Sequence, residues 1–142
     1  MRVRDIMTKN PFIIPEETSV EDAARMMRNH KIGLVPIGDK EKIAGVITDR
    51  DIAIRVTAEY KNPKHTPVRE VMTPDGAYCF EDQDIEDACF MMEDKHVRRL
   101  LVFDRTRDLV GILSLDDVAA RARKEKLAGY ALSKVAKVAQ HG

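Results

Sequence analysis

Three blocks of this 142-residue chain occur twice, in the same order. VRDIMT at 3–8 returns as VREVMT at 68–73, and EDAARMM at 21–27 returns as EDACFMM at 86–92, both shifted by 65 residues. GVITDRDIAIR at 45–55 returns as GILSLDDVAAR at 111–121, shifted by 66, so one residue is gained between the second and third blocks. Three matches in order, at a nearly constant shift, describe one unit of about 65 residues present in tandem. The polar stretch Val56–Thr66, with Pro63 inside it and Pro67 after it, reads as the connection between copies. The expected division is a first repeat over 1–62, a second over 63–121 and a tail over 122–142.

Each copy reads as the same series of elements. A short helical turn opens it, at Val3–Met7 or Val68–Met72, and a short extended run follows, at Phe12–Ile14 or Ala77–Phe80. Thr18-Ser19-Val20-Glu21 fits a capping box, a hydroxyl followed three residues later by Glu. Behind it Val20, Ala23, Ala24 and Met27 recur at helical spacing, as do Ile85, Ala88, Cys89 and Met92 in the second copy. Two strands come next, Leu34–Ile37 and Ile43–Ile47, then Leu100–Phe103 and Leu109–Leu113, turning through Gly38–Lys40 and Asp104–Asp108. A last helix starts near Thr48 or Ser114. The fold class is α+β, with two tandem βαββα repeats. One copy has too few elements to close a core alone, so two would pack sheet against sheet as a pseudo-two-fold pair. Six of the seven methionines lie in the repeats, Met7, Met26, Met27, Met72, Met91 and Met92, and read as filler on inner helix faces.

The chemistry resides in Gly45-Val46-Ile47-Thr48-Asp49-Arg50-Asp51 and its copy Gly111-Ile112-Leu113-Ser114-Leu115-Asp116-Asp117. Each is a buried strand, a hydroxyl residue at a helix N-cap, and an Asp in the first turn on the same side. Such a carboxylate can accept two hydrogen bonds from neighbouring hydroxyls, such as a ribose 2′,3′-diol, while the hydroxyl and free N–H groups meet a phosphate or another polar group. Plain helix capping uses the same residues. Both copies keep hydroxyl, Asp and preceding Gly, although Asp49 becomes Leu115.

With the paired openings DIMT and EVMT, and HKIGLVPIGD and KHVRRLLVFD around the second strands, these blocks resemble a tandem pair of CBS domains, the Bateman module. The resemblance spans residues 3–121 and extends to small stand-alone bacterial and archaeal CBS-pair proteins. It implies a non-catalytic regulator that binds an adenosine-containing ligand in two clefts between the repeats. That ligand would be AMP, ADP or ATP, or else S-adenosylmethionine or a dinucleotide such as NAD. It also implies a homodimer and a downstream protein that reads occupancy. Carried over by position, Asp51 and Asp117 would hold ribose hydroxyls, and Thr48 and Ser114 would contact ribose or phosphate. Ile32, Gly33 and Leu34, with Val97, Arg98 and Arg99, would line the clefts, and Ile13 and Tyr78 would pack near adenine. No further cofactor and no metal is implied. The alternative is an interaction module with empty or vestigial clefts.

Phosphate needs cations, and Lys31, Arg98, Arg99, Arg55 and Arg121 qualify. Arg55 and Arg121 stand four residues after the motif Asp, where an ordinary ion pair along one helix face also explains them. The second copy, with Arg98 or Arg99 where the first has Gly33, is the more cationic and should favour a polyphosphate.

Elsewhere the sequence mainly excludes. Lys plus Arg equals Asp plus Glu, at 24 each, which argues against a sequence-blind nucleic-acid binder. No apolar run approaches the roughly 20 residues that cross a bilayer, and the N-terminus lacks the apolar stretch of a secretory signal. Two cysteines, Cys79 and Cys89, make neither a disulfide framework nor a zinc site, which fits a reducing cytoplasm. Of His30, His65, His96 and His141, neither His30 nor His96 is read as having a Glu or Cys at metal-ligand spacing, and Lys95, not His96, stands opposite His30. Residues 121–142 carry six basic residues and one acidic one. Residues 122–139 read as a C-terminal helix with Leu127, Ala131, Leu132, Val135 and Val138 on one face, packed on its own domain or on a second copy. A basic arm for an acidic partner is the other reading.

Overall fold

A computed structural model describes residues 1–121 and 125–141, and within the last helix the side chains of 127–137. The chain forms two compact units, and they do not follow the repeat boundary. Unit 1 holds residues 1–11 and 77–142; unit 2 holds 12–76.

In unit 1, a one-turn helix α1 (Val3–Ile6) leads into the short strand β1 (Thr8–Lys9). The rest comprises β5 (Tyr78–Phe80), α4 (Ile85–Lys95), β6 (Arg99–Phe103), β7 (Leu109–Ser114), α5 (Leu115–Arg121) and α6 (Glu125–His141). The sheet order is β1-β7-β6-β5; β5 runs parallel to β6 and the other pairs are antiparallel. Unit 2 contains α2 (Val20–His30), β2 (Leu34–Asp39), β3 (Lys42–Thr48), α3 (Asp49–Ile52) running on as a π-helix over Ala53–Thr57, a 3₁₀ turn at Val68–Glu70, and β4 (Thr73–Pro74). Its sheet order is β2-β3-β4, all antiparallel.

Each unit has its own apolar core, and as expected neither copy closes one alone. The opening segment of the other copy supplies what one copy lacks. Val68 and Val71 join Ile14, Val20, Ala23, Met27, Val35, Ile37 and Ile47 in unit 2. Val3, Ile6 and Met7 join Ile85, Cys89, Met92, Leu100 and Leu113 in unit 1. An amphipathic turn of this length cannot stand alone in water, and burial of its two or three apolar side chains stabilises it by about 1.5–3 kcal/mol each. Met7, Met27 and Met92 are buried, and Met26, Met72 and Met91 pack partly buried against the cores, as core filler does.

Three local expectations are corrected. The N-cap of α2 is Ser19, whose Oγ accepts from the Asp22 N–H at 3.1 Å, and not Thr18. Ser19 is extended, and the returning chain bonds on either side of it: the Thr18 carbonyl accepts from the Val68 N–H at 2.8 Å, while the Val20 N–H donates to the Thr66 carbonyl at 2.9 Å. Phe12–Ile14 forms no strand, only a parallel bridge of Ile14 to Ile37, because Pro15 stands where the second copy has Phe80 and cannot donate to a ladder. In the last helix Ala128, Ala131 and Val135 are buried against α4 and α5, but Leu132 is 40% exposed. Leu132 follows Ala131 by one residue and so points about 100° away from the buried stripe. Val138, Lys124 and Lys126 lie outside the described side chains. The helix packs on its own unit.

Burial pushes the Cys79 thiol up to about 12. Burial, helped by Glu93 and Glu86, pushes Cys89 up to about 11. Among the described residues no helix is long and apolar enough to cross a membrane, and no cluster of His, Cys, Asp and Glu could hold a metal ion.

Candidate functional site

Both motif carboxylates sit in the same local structure. In unit 2 the strand β3 ends at Thr48, which is extended, and α3 begins at Asp49. Thr48 Oγ1 accepts from the Asp51 N–H at 3.1 Å, and Asp51 Oδ2 accepts from the Thr48 N–H at 3.0 Å. In unit 1 Ser114 Oγ accepts from the Asp117 N–H at 3.1 Å, and Asp117 Oδ2 accepts from the Ser114 N–H at 3.0 Å. Both are reciprocal capping boxes, so helix capping is one job these acids do. Their side chains are 12% and 14% exposed. The second oxygen of each faces the arginine one turn on: Arg55 Nε lies 3.8 Å from Asp51 Oδ1, and Arg121 Nε lies 3.7 Å from Asp117 Oδ1. The i,i+4 ion pairs expected from the sequence are therefore present; among the described residues Asp117 Oδ1 accepts no hydrogen bond, and Asp51 Oδ1 accepts only a long one, from Thr73 Oγ1 at 3.4 Å.

The two copies part at one hydroxyl. Thr73 Oγ1 lies 3.4 Å from both carboxylate oxygens of Asp51. Thr8, its counterpart in the repeat, makes no such contact with Asp117 among the described residues.

The other candidates fall into matching places. Gly33 accepts from the Asp49 N–H at 3.1 Å, and Arg98 accepts from the Leu115 N–H at 3.1 Å through its own carbonyl. Leu34 pairs with Thr48 and Arg99 with Ser114. The counterpart of Gly33 is thus Arg98, and Arg99 corresponds to Leu34. Arg98 is exposed, Arg99 half-buried. Ile32 and Val97, each just past a left-handed helix cap at Lys31 or His96, pack partly buried against the core of their unit. Ile13 and Tyr78 lie on the far side of β2 and β6 from the motif strand: Ile14 bridges Ile37, and Tyr78 pairs with Leu101. Tyr78 is 45% exposed, its ring edge-on to Phe80 at 5.9 Å and to Phe103 at 5.7 Å. All candidates of the first copy belong to unit 2, and all of the second to unit 1.

Sequence reasoning missed why the motif begins with Gly, and it missed Thr73. A Cβ on Gly45 would come within 2.6 Å of the Thr73 carbonyl oxygen, and one on Gly111 within 2.5 Å of Met7 Sδ and 2.9 Å of the Thr8 carbonyl oxygen. The glycine lets the opening segment cross the motif strand closely. The signal was present: the VRDIMT and VREVMT blocks repeat as faithfully as the motif does.

A duplicated βαββα plan with a hydroxyl–carboxylate box at the start of each final helix defines a class of paired small domains. The CBS domain profile matches residues 3–57 and again 68–124. The chain belongs to the CBS-domain family. It is 34% identical over 133 residues to the CBS domain-containing protein YhcV of Bacillus subtilis, covering 94% of each chain. It also resembles the crystal structure of the CBS domain pair of protein MJ0100 in complex with 5-methylthioadenosine and S-adenosyl-L-methionine, with a TM-score of 0.74, 30% identity, and coverage of 89% of this chain and 98% of that one. CBSX2, crystallised in complex with AMP, matches with a TM-score of 0.71 and 28% identity over 88% of this chain and 98% of that one.

Proposed function

We propose that this protein is a non-catalytic ligand sensor that binds an adenosine-containing molecule at Asp51 and at Asp117 and passes occupancy on to a partner protein. The supporting observation is the twofold carboxylate: each is anchored through Oδ2 by its capping box, while Oδ1 faces only weak contacts. A vicinal diol can donate to such an oxygen. Thr48 and Ser114 stand beside it for ribose or phosphate, and Gly33 with Leu34, or Arg98 with Arg99, would line the remainder. Ile13 and Tyr78 would pack near the base. AMP, ADP and ATP are the first ligands to test, with S-adenosylmethionine and NAD next; the related structures that hold AMP or S-adenosylmethionine support this range. The sensor would act as a homodimer in the cytoplasm, its ligand shifting an equilibrium between two arrangements by binding one more tightly.

A second reading is an interaction module with unused sites. The capping boxes favour it, because both acids already serve their own chain. Calorimetric titration with the five ligands separates the two. Asp51→Ala and Asp117→Ala should each weaken binding at their own site about 10- to 100-fold, the worth of a hydrogen bond to a charged acceptor. Unchanged binding in both variants rejects the site, and no heat from any ligand supports the interaction module.

A further inference from the structure

We infer that Arg55 and Arg121 are positioning residues, each tying the motif carboxylate of its unit to the strap of chain that runs on toward the other unit. The inference rests on the binding reading above and goes beyond it in naming what senses occupancy.

An exposed ion pair at i,i+4 contributes only a few tenths of a kcal/mol, so the pairing to Asp51 and Asp117 does not by itself explain these residues. The far end of each guanidinium does more. Arg55 Nη1 donates to the Val71 carbonyl at 3.1 Å and the Met72 carbonyl at 2.9 Å. Arg121 Nη1 donates to the Ile6 and Met7 carbonyls, both at 3.2 Å. These four oxygens are repeat-equivalent, and they end a single helical turn whose last carbonyls have no partner within the turn. Arg55 finds them 16 and 17 residues along the chain, Arg121 115 and 114 residues back. The same contact reached through such different separations is not a by-product of chain proximity.

Each strap is seated in three ways. It crosses a motif glycine too closely for a side chain. It pairs with the motif strand, Thr73 with Val46 and Pro74 with Gly45, or Thr8 with Ile112 and Lys9 with Gly111. Its last helical carbonyls are held by the arginine. Beyond this seat the chain leaves the unit, between residues 11 and 12 and between 76 and 77. One face of the guanidinium thus meets the oxygen a ligand would claim, and the other holds the segment that leads away. A diol that captures Oδ1 displaces or reorients Nε, and the planar fork transmits that change to the carbonyls.

The test uses the full chain, with Arg55→Lys and Arg121→Lys, which keep the charge but lose the fork. AMP is the probe, or S-adenosylmethionine where AMP gives no heat. Hydrogen exchange is followed by mass spectrometry over residues 3–9 and 68–74, with and without ligand. In the wild type, ligand should change exchange in both straps. Arg55→Lys should abolish the change at 68–74 alone and Arg121→Lys at 3–9 alone, with affinity at the altered unit down roughly three- to tenfold. A merely structural arginine would alter thermal stability while leaving the ligand-dependent difference in place, and that result overturns the inference. A wild type that binds neither probe rejects the binding reading, and the tie falls with it. If a Lys variant loses its native circular dichroism, Arg55→Gln or Arg121→Gln is measured in the same way, with the same outcomes deciding.

Discussion

The two units show how one local plan can be furnished differently. In each, a capping box fixes the carboxylate, a glycine seats the strap and an arginine grips it. In unit 2 the carboxylate also meets the Thr73 hydroxyl, and the loop between α2 and β2 offers Gly33. In unit 1, among the described residues, the carboxylate meets no such hydroxyl, and Arg98 stands where unit 2 has Gly33. The duplication has kept the scaffold of a site and varied what a ligand would meet there. On the proposed reading, unit 1 with Arg98 would suit a charged ligand better, whereas in unit 2 the acid is already partly engaged by Thr73.

The largest contrast should come from the seating glycines. Gly45→Ala drives a Cβ against a backbone carbonyl, whereas in Gly111→Ala the first obstacle is the flexible Met7 side chain, with the Thr8 carbonyl behind it. Overpacking of this kind costs about 1–3 kcal/mol. We expect Gly45→Ala near the top of that range and Gly111→Ala near the bottom, or roughly 10 °C against 3 °C in Tm by calorimetry. The buried thiols identify which unit has opened, because Cys79 and Cys89 both lie in unit 1. Iodoacetamide reacts with thiolates, so labelling at pH 8 should be slow in the native chain, faster in Gly111→Ala and unchanged in Gly45→Ala. Equal acceleration in both variants would mean that the units open together. Because both thiol pKa values are raised from 9.0 by burial, the folded form holds more protons between that pH and about 11 to 12. Unit 1 should keep its full stability below pH 9 and lose it progressively above, while unit 2 has no such dependence from cysteine.

Much of this architecture was legible in the residues. The helix and strand positions followed from apolar spacing, since Val20, Ala23 and Met27, or Ile85, Ala88, Cys89 and Met92, are buried. The motif showed itself by recurring. What stayed hidden was pairing at a distance. VRDIMT and VREVMT are apolar in the same rhythm, and nothing in that rhythm says which copy's core each turn completes. Thr18 and Ser19 are both competent caps, and Ser19 takes the role where the returning chain bonds on either side of it, at the Thr18 carbonyl and the Val20 N–H. Arg55 and Arg121 were visible as partners of Asp, but their carbonyl contacts depend on segments up to 115 residues away. Such tertiary terms override what local propensity can report.

The next contrast in size concerns phosphate. Arg98→Gly gives unit 1 the side chain of unit 2 at this place, and Gly33→Arg does the reverse. An arginine opposite a phosphate forms charge-assisted, bidentate hydrogen bonds. Loss of Arg98 should lower the ATP affinity of unit 1 about three- to tenfold and its AMP affinity less, with Gly33→Arg moving unit 2 in the opposite direction. Isothermal titration of the two variants reads both. If ATP and AMP weaken equally, the arginine does not sort ligands by phosphate, and the units differ for another reason.

The smallest effect tests the feature that most directly separates the two acids. Thr73 Oγ1 is 3.4 Å from either oxygen of Asp51, a long contact that competes with an incoming diol only weakly. Thr73→Val removes the hydroxyl and keeps the branched shape. It should raise the AMP affinity of unit 2 about two- to threefold, the equivalent of about half a kcal/mol. Thr8→Val is the matched control, since the exposed Thr8 does not reach Asp117. It should leave both affinities unchanged. A fall in affinity with Thr73→Val would give that hydroxyl the opposite role, holding the carboxylate in the orientation a ligand needs. The engaged acid would then be the prepared one, and the ranking of the two units would reverse.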